Sequence, residues 1–268
     1  MNIVLGAATG YNKKDLYYFI KSLRVVFDGD IYLILNLNVD IGTIRFLEKY
    51  NVKKLFTNEN PKKIYKTRYK IYYNFLKSNQ NYDKILLTDT RDVIFQSNPF
   101  LNTKLLDINF FMEDKKIKNC FINSNWIRRL YGLRKYNLIK DNYISCSGTT
   151  LGSYPDIMEY LKKMVFHIKN FTYFSFFGSP GSDQGNHNYI VNTEKFNNQH
   201  KFFNEDGVVA TLSDANLKKF KFEKKLNNLS NEEFCIIHQY DRILNKINGN
   251  IEQKKYFHDL REDLLKNI

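Results

Sequence analysis

Two carboxylates and an arginine follow directly on a run of strand-forming residues. Ile85-Leu86-Leu87-Thr88 leads into Asp89-Thr90-Arg91-Asp92. An unpaired carboxylate at the end of a buried strand costs several kcal/mol, so the pair calls for a use. Carboxylate oxygens hold hard divalent cations, and the C-terminal end of a central strand is where open α/β sheets bind their ligands. A cation bridging the protein to a diphosphate is the simplest chemistry for this segment. The competing reading is an Asp89–Arg91 or Arg91–Asp92 ion pair that caps the strand.

Three other clusters carry chemistry. In Ser145-Cys146-Ser147-Gly148-Thr149-Thr150, Gly148 between Ser147 and Thr149 lets the backbone approach a ligand, or another strand, closely. In Gly181-Ser182-Asp183-Gln184, Asp183 sits at a loop-to-helix junction, where amide dipoles stabilise its charge. A carboxylate there can cap the helix, serve as a base toward a hydroxyl, or do both. In Ile236-Ile237-His238-Gln239, His238 ends an apolar strand and is either a satisfied structural histidine or a ligand. His187, on the helix after Asp183, is the one other histidine of interest. Arg68, on the helix before the first cluster, is a candidate for nucleotide phosphates or base, or one more exposed cation.

Short apolar runs alternate with amphipathic stretches to position these groups. Strands are expected at Ile3–Ala8, Ile31–Leu35, Lys54–Phe56 and Ile85–Leu87, with helices at Lys13–Phe27, Ile41–Tyr50 and Lys62–Lys77. That alternation predicts a parallel sheet with right-handed crossovers. The second half is less regular. Strands are expected at Ile108–Met112, Ser145–Leu151, Val208–Leu212 and Phe234–Ile237, and helices at Asn125–Tyr136 and Asp156–Asn170. Gly152–Pro155 reads as a turn, Gly178–Gly181 as a loop, Ser182-Asp183 as a helix N-cap signal, and the C-terminus as a charged amphipathic helix. With no repeat, low-complexity tract or obvious linker, the expectation is a single α/β domain.

Composition narrows the class. The 268 residues include 41 Lys and Arg against 28 Asp and Glu, a net +13. That points to anionic partners such as nucleotides, nucleic acid, acidic glycans or a membrane face. Many lysines are scattered along the chain, which equally suits a solvated surface. Cys120, Cys146 and Cys235 are odd in number and far apart, so neither a disulfide framework nor a zinc knuckle follows, and a reducing compartment is expected. No secretory leader and no apolar run of roughly 18–20 residues is seen. A soluble, cytoplasmic protein without an integral membrane segment is therefore expected, with peripheral membrane association left open.

In their order, the four clusters resemble the motifs of GT-A glycosyltransferases, which move a sugar from a nucleotide-diphosphate donor. The likeness spans roughly Ile3 to Arg242. It implies a GT-A (Rossmann-like), mostly parallel sheet flanked by helices, with residues 1–100 as the nucleotide-binding half. Residues 101–268 would form the acceptor-binding half with its C-terminal helix. The resemblance also implies a Mn²⁺ or Mg²⁺ cofactor, a UDP-linked sugar donor, and a glycan, glycolipid or glycoprotein acceptor. Aligned on Pro99, Asp92 falls on the family's last metal-binding Asp, but the partner Asp falls on Thr90. The chain therefore reads Asp-x-x-Asp, and Asp89 is left to touch the ribose, a metal-bound water or the metal. By the same resemblance His238 is a third metal ligand, suited to Mn²⁺ as neutral imidazole. Asp183 would face the acceptor, Ser147, Gly148 and Thr149 would line the donor sugar, and Ala7, Ala8 and Thr9 would hold the base and ribose. Arg68 and Arg91 are counted with the donor-binding residues.

Other classes fit less well. A haloacid-dehalogenase-like phosphatase needs a second Asp where Arg91 stands. A nucleotidyltransferase shares the metal logic but wants a Gly-rich, lysine-bearing phosphate loop, and Gly6–Tyr11 is thin for that. A nucleic-acid binder explains the charge but not carboxylates at strand ends. The segment Trp126 to Arg134, with Arg128, Arg129 and Arg134, could form a basic acceptor face, although a solvated helix is the simpler reading.

Overall fold

The computed structural model describes residues 1–172, 181–242 and 251–266. Strand β1 (Asn2–Ala7), helix α1 (Lys13–Val26), β2 (Asp30–Asn36), α2 (Ile41–Lys49), β3 (Lys53–Thr57), α3 (Ile64–Ser78) and β4 (Lys84–Thr88) form the regular first half. Its central strands are continuous apolar runs whose successive side chains point to opposite faces, as strands buried on both sides require. Val4, Leu33, Leu35 and Leu86 pack toward Leu16, Phe19 and Leu23 of α1. Ile3, Leu5, Ile34, Ile85 and Leu87 pack on the opposite face toward Tyr69, Tyr72 and Leu76 of α3. Each of these leucines or isoleucines contributes about 1.5–3 kcal/mol by leaving water. The helix starts are written locally: Asn12 caps α1 in a reciprocal box with Asp15, and Asp40 caps α2.

The chain continues with β5 (Val93–Phe95), β6 (Ile108–Lys116), α4 (Phe121–Ile139), β7 (Tyr143–Ser153), α5 (Tyr154–His167), α6 (Ser182–Thr193), β8 (Gln199–Phe202), β9 (Val209–Thr211), β10 (Phe220–Phe222), β11 (Leu226–Asn228), β12 (Ile236–His238) and α7 (Ile251–Lys266). The main sheet has the order β3-β2-β1-β4-β7-β6-β8. It is mixed rather than wholly parallel, because β7 runs antiparallel to both β4 and β6. The chain builds outward from β1 to β3 and then returns to lay β4 on the other side of β1. The order thus reverses between β1 and β4, which opens a crevice at their C-terminal ends. A smaller sheet, β5-β12-β9, stands beside it. It is underlain by Ile94, Phe234 and Ile237, with Tyr256 and Phe257 of α7 covering them.

Several expectations shift. The helix expected at Asn125–Tyr136 runs longer, and it is kinked at Gly132, whose φ of 78° lies in the left-handed region. The turn expected at Gly152–Pro155 does not form: β7 continues through Ser153, which caps α5 by accepting from the Asp156 amide. Helix α5 ends at His167 and gives way to a π-helical turn over Ile168–Thr172. Gly178 to Pro180 of the expected loop lie outside the described residues. Among the described residues, no helix is long and apolar enough to cross a membrane.

Candidate metal centre and its carboxylate–arginine neighbour

Three long-range pairings assemble the site at the reversal point of the sheet. Thr88 at the end of β4 pairs with Thr149 of β7, and the Asp89 amide donates to the Gly148 carbonyl at 2.8 Å. Val93, just after Asp92, pairs with His238 of β12. The Gln239 amide then donates to the Asp92 carbonyl at 2.8 Å, with Gln239 in the left-handed region at φ 63°. The result brings the carboxylates of Asp89 and Asp92 to the imidazole of His238 across about 150 residues of chain.

Their geometry fits a small divalent cation. His238 Nε2 lies 3.6 Å from Asp89 Oδ2 and 3.9 Å from Asp92 Oδ1, and one ligand atom from each residue lies within 4.8 Å of the others. Ligands about 2.1 Å from an octahedral cation stand roughly 3–4.2 Å apart, and the two distances from the imidazole fall inside that range. The decisive feature is that Nε2 of His238 is buried and, among the described residues, has no hydrogen-bond partner. Its Nδ1 faces Thr149 Oγ1 at 3.3 Å and Cys146 Sγ at 3.6 Å. Donation from Nδ1 to the threonine would fix the tautomer that turns the Nε2 lone pair toward the two carboxylates. Gly148 makes room for this: a Cβ there would stand 2.4 Å from both Asp89 Oδ2 and His238 Cε1.

The electrostatics ask for positive charge. Burial raises the Asp92 carboxyl above its ordinary range, and Asp89 and Asp241 add to this, against the opposing pull of His238 and Arg91. Burial alone would lower His238, yet Cys146, Asp89 and Asp92 together raise it well above the usual imidazole value. Two clustered carboxylates thus draw in a proton, and a divalent cation at the same point would satisfy them more fully.

The alternative that Arg68 is one more exposed cation is overturned. Rather than standing as an exposed cation, its side chain is only 12% exposed and lies between two carboxylates. Nη1 donates to Asp89 Oδ1 at 2.7 Å and Nη2 to Asp183 Oδ2 at 2.8 Å. Nη2 also reaches the Tyr69 hydroxyl at 3.0 Å, and that hydroxyl donates to the same Asp183 oxygen at 3.2 Å. Burial would raise Asp89, but Arg68 and His238 hold it well below the ordinary carboxylate range. Burial leaves Asp183 raised despite Arg68 and Tyr69. The helix N-cap is Gly181, at φ 90°, and the Asp183 side chain serves Arg68 and Tyr69 instead of capping.

The other predicted positions fall into place around this pair. Ser147 contributes backbone: its amide donates to Gln184 Oε1 at 2.8 Å, and its carbonyl lies 3.5 Å from Arg68 Nη2. Ala7 accepts from Thr90 Oγ1 at 2.9 Å, so the end of β1 lies against the acidic loop. Ala8 and Thr9 are buried just beyond it. Arg91 sits on the rim, paired with Asp241 at 2.9 Å. His187 is structural, its two ring nitrogens facing Ser145 Oγ at 2.8 Å and Tyr160 at 2.7 Å. Near Gly10, a cleft of about 480 Å³ runs over Asn36–Asn38 and Thr57–Pro61 at the ends of β2 and β3.

Several site residues carry no sequence signal of their own. Tyr69, Gln184 and Asn188 hold the site through long-range bonds. Gln184 and Asn188 both donate to the Ser145 carbonyl, at 2.6 and 3.1 Å, where β6 and β7 lose register. Thr149 and Cys146 orient the imidazole. Only the Asp-Gln dipeptide opening α6 hinted at Gln184. No model of a known protein family matches this chain, and neither does any curated protein.

Proposed function

We propose that this protein is a metal-dependent glycosyltransferase of GT-A type, moving a sugar from a UDP-linked donor to an acceptor hydroxyl. One observation carries the reading: an orphaned, buried imidazole nitrogen converges with two carboxylates at the reversal point of an α/β sheet. Asp89, Asp92 and His238 are the residues that would hold Mn²⁺ or Mg²⁺. When bound, such an ion neutralises the donor diphosphate and the charge building on the leaving nucleotide. The backbone of Ser147 and Gly148 borders the sugar. The end of β1 and the cleft over β2 and β3 receive the nucleoside, with Arg91 at the rim. Asp183 orients or deprotonates the acceptor hydroxyl, and Arg68 fixes its distance from the metal ligands. A cytoplasmic location suits the three free cysteines.

The test is thermal stabilisation by UDP with Mn²⁺, against UDP with EDTA. Saturation at 100-fold above Kd adds about 2.7 kcal/mol, or roughly 5–10 °C in Tm. Asp92→Ala should abolish this increment and sugar transfer while keeping the fold. Near-normal transfer by Asp92→Ala in saturating donor would sink the metal assignment. Nucleoside triphosphate preference with pyrophosphate release would move the protein to the nucleotidyltransferases. Stabilisation by duplex DNA alone, fading with salt, would make it a nucleic-acid binder.

A further inference from the structure

Helix α4 has a surface that the proposed chemistry does not use. Over Phe121–Ile139 it contains no acidic residue but carries Arg128, Arg129, Arg134 and Lys135. Before the kink, Asn123, Ser124, Ile127, Leu130 and Tyr131 face inward, while Phe121, Ile122, Arg128 and Arg129 share the outward face. Beyond the kink at Gly132, Leu133, Arg134 and Leu138 are exposed as well. The apolar side chains on this surface are strongly exposed: Phe121 81%, Ile122 55%, Leu133 58% and Leu138 71%. Neither Arg129 nor Arg134 forms an ion pair among the described residues, and Lys116 and Lys140 flank the helix, while Lys118 is paired with Asp141 at 2.6 Å.

We infer that α4 seats the protein on an anionic phospholipid surface. On this face the exposed apolar tips can enter the headgroup boundary while the arginines beside them meet lipid phosphates. Charge complementarity selects an anionic bilayer. The apolar tips favour it over nucleic acid, whose backbone phosphates give Phe, Ile and Leu nothing to enter. The seat adjoins the site, because the Trp126 ring lies under Gly181 and its Cβ under Gly185, at the start of the helix bearing Asp183. A docked α4 therefore stands between the lipid and the helix bearing Asp183, which packs behind it at a helix–helix spacing of about 8–10 Å. If the glycosyltransferase reading holds, a lipid-linked acceptor would approach the site from this side, but the docking itself does not depend on that reading.

Co-sedimentation with phosphatidylcholine vesicles, with and without phosphatidylglycerol, tests the inference. Binding should require phosphatidylglycerol and weaken with salt. R128A/R129A should lower partitioning roughly 30-fold, whereas K70A/K77A, which removes two exposed charges from α3, should change it less than about threefold. F121S/L138S should weaken binding further at high salt, where apolar insertion dominates. All these positions are exposed, so far-ultraviolet circular dichroism should be unchanged. Equal losses in the two charge pairs would overturn the assignment to α4, as would absence of vesicle binding. Insensitivity to F121S/L138S, with duplex DNA displacing the vesicles, would replace the membrane with nucleic acid. Failure of the UDP test leaves every one of these outcomes readable.

Discussion

Replacing Arg68 by methionine tests whether the site rests on a buried charge pair. The substitution keeps an unbranched side chain of similar reach and removes only the guanidinium. Its two ion pairs are not equivalent. Asp89 is 38% exposed, so losing that partner costs little, about 0–1 kcal/mol. Asp183 is 4% exposed and would be left with the Tyr69 hydroxyl. Stranding a buried carboxylate in this way costs about 3–5 kcal/mol, which sets the total. At 2–4 °C per kcal/mol for a chain near this size, Tm should fall by roughly 6–20 °C. Asp183→Asn in the same background removes the stranded charge, so R68M/D183N should recover about 2–3 kcal/mol relative to additivity. Thermal and urea melts of the four proteins in the cycle measure this. A loss below about 1 kcal/mol for R68M, or a loss that D183N fails to relieve, would refute the argument that Asp183 depends on Arg68.

Other substitutions probe the remaining parts. Gly148→Ala would drive a methyl into Asp89 and His238, so Mn²⁺ affinity by titration calorimetry should drop about 10–100-fold. Unchanged affinity would show that these two side chains do not form the cation site. His187 is pressed by burial down to about 3, while the unfolded chain takes up its proton near 6.5. Between those values the unfolded state binds the extra proton, so this contribution is present above pH 6.5 and is lost as pH falls. Stability should decline by up to ~1.4 kcal/mol per pH unit on this account, about 2 kcal/mol by pH 5. In His187→Gln that part of the acid limb should flatten in Tm-against-pH curves. An identical acid limb in the variant would count against His187 as its source.

Much of the first half was legible because its signals are local. The unbroken apolar runs Ile3–Leu5 and Ile85–Leu87 are the mark of strands buried on both faces, and the helical spacing of Leu16, Phe19, Ile20 and Leu23 is set within a few turns. The acidic loop was legible too, since charge following an apolar run conflicts with burial wherever the chain folds. The antiparallel insertion of β7, the strands β5 and β8, and the kink in α4 were not foreseen. Strands of three or four residues leave too short a pattern to read, and strand direction depends on partners far away in the chain.

The sequence by itself determined that Asp89, Asp92, Asp183 and His238 would lie at strand ends and a helix start, and Gly148 within a strand, because such patterns are set by near neighbours. Only the tertiary structure decided that these groups meet. It also made Arg68 a buried clamp between two carboxylates instead of a surface cation. Such encounters are fixed by strand order and register, and the free energy that selects those is summed over the whole core rather than written in any single segment.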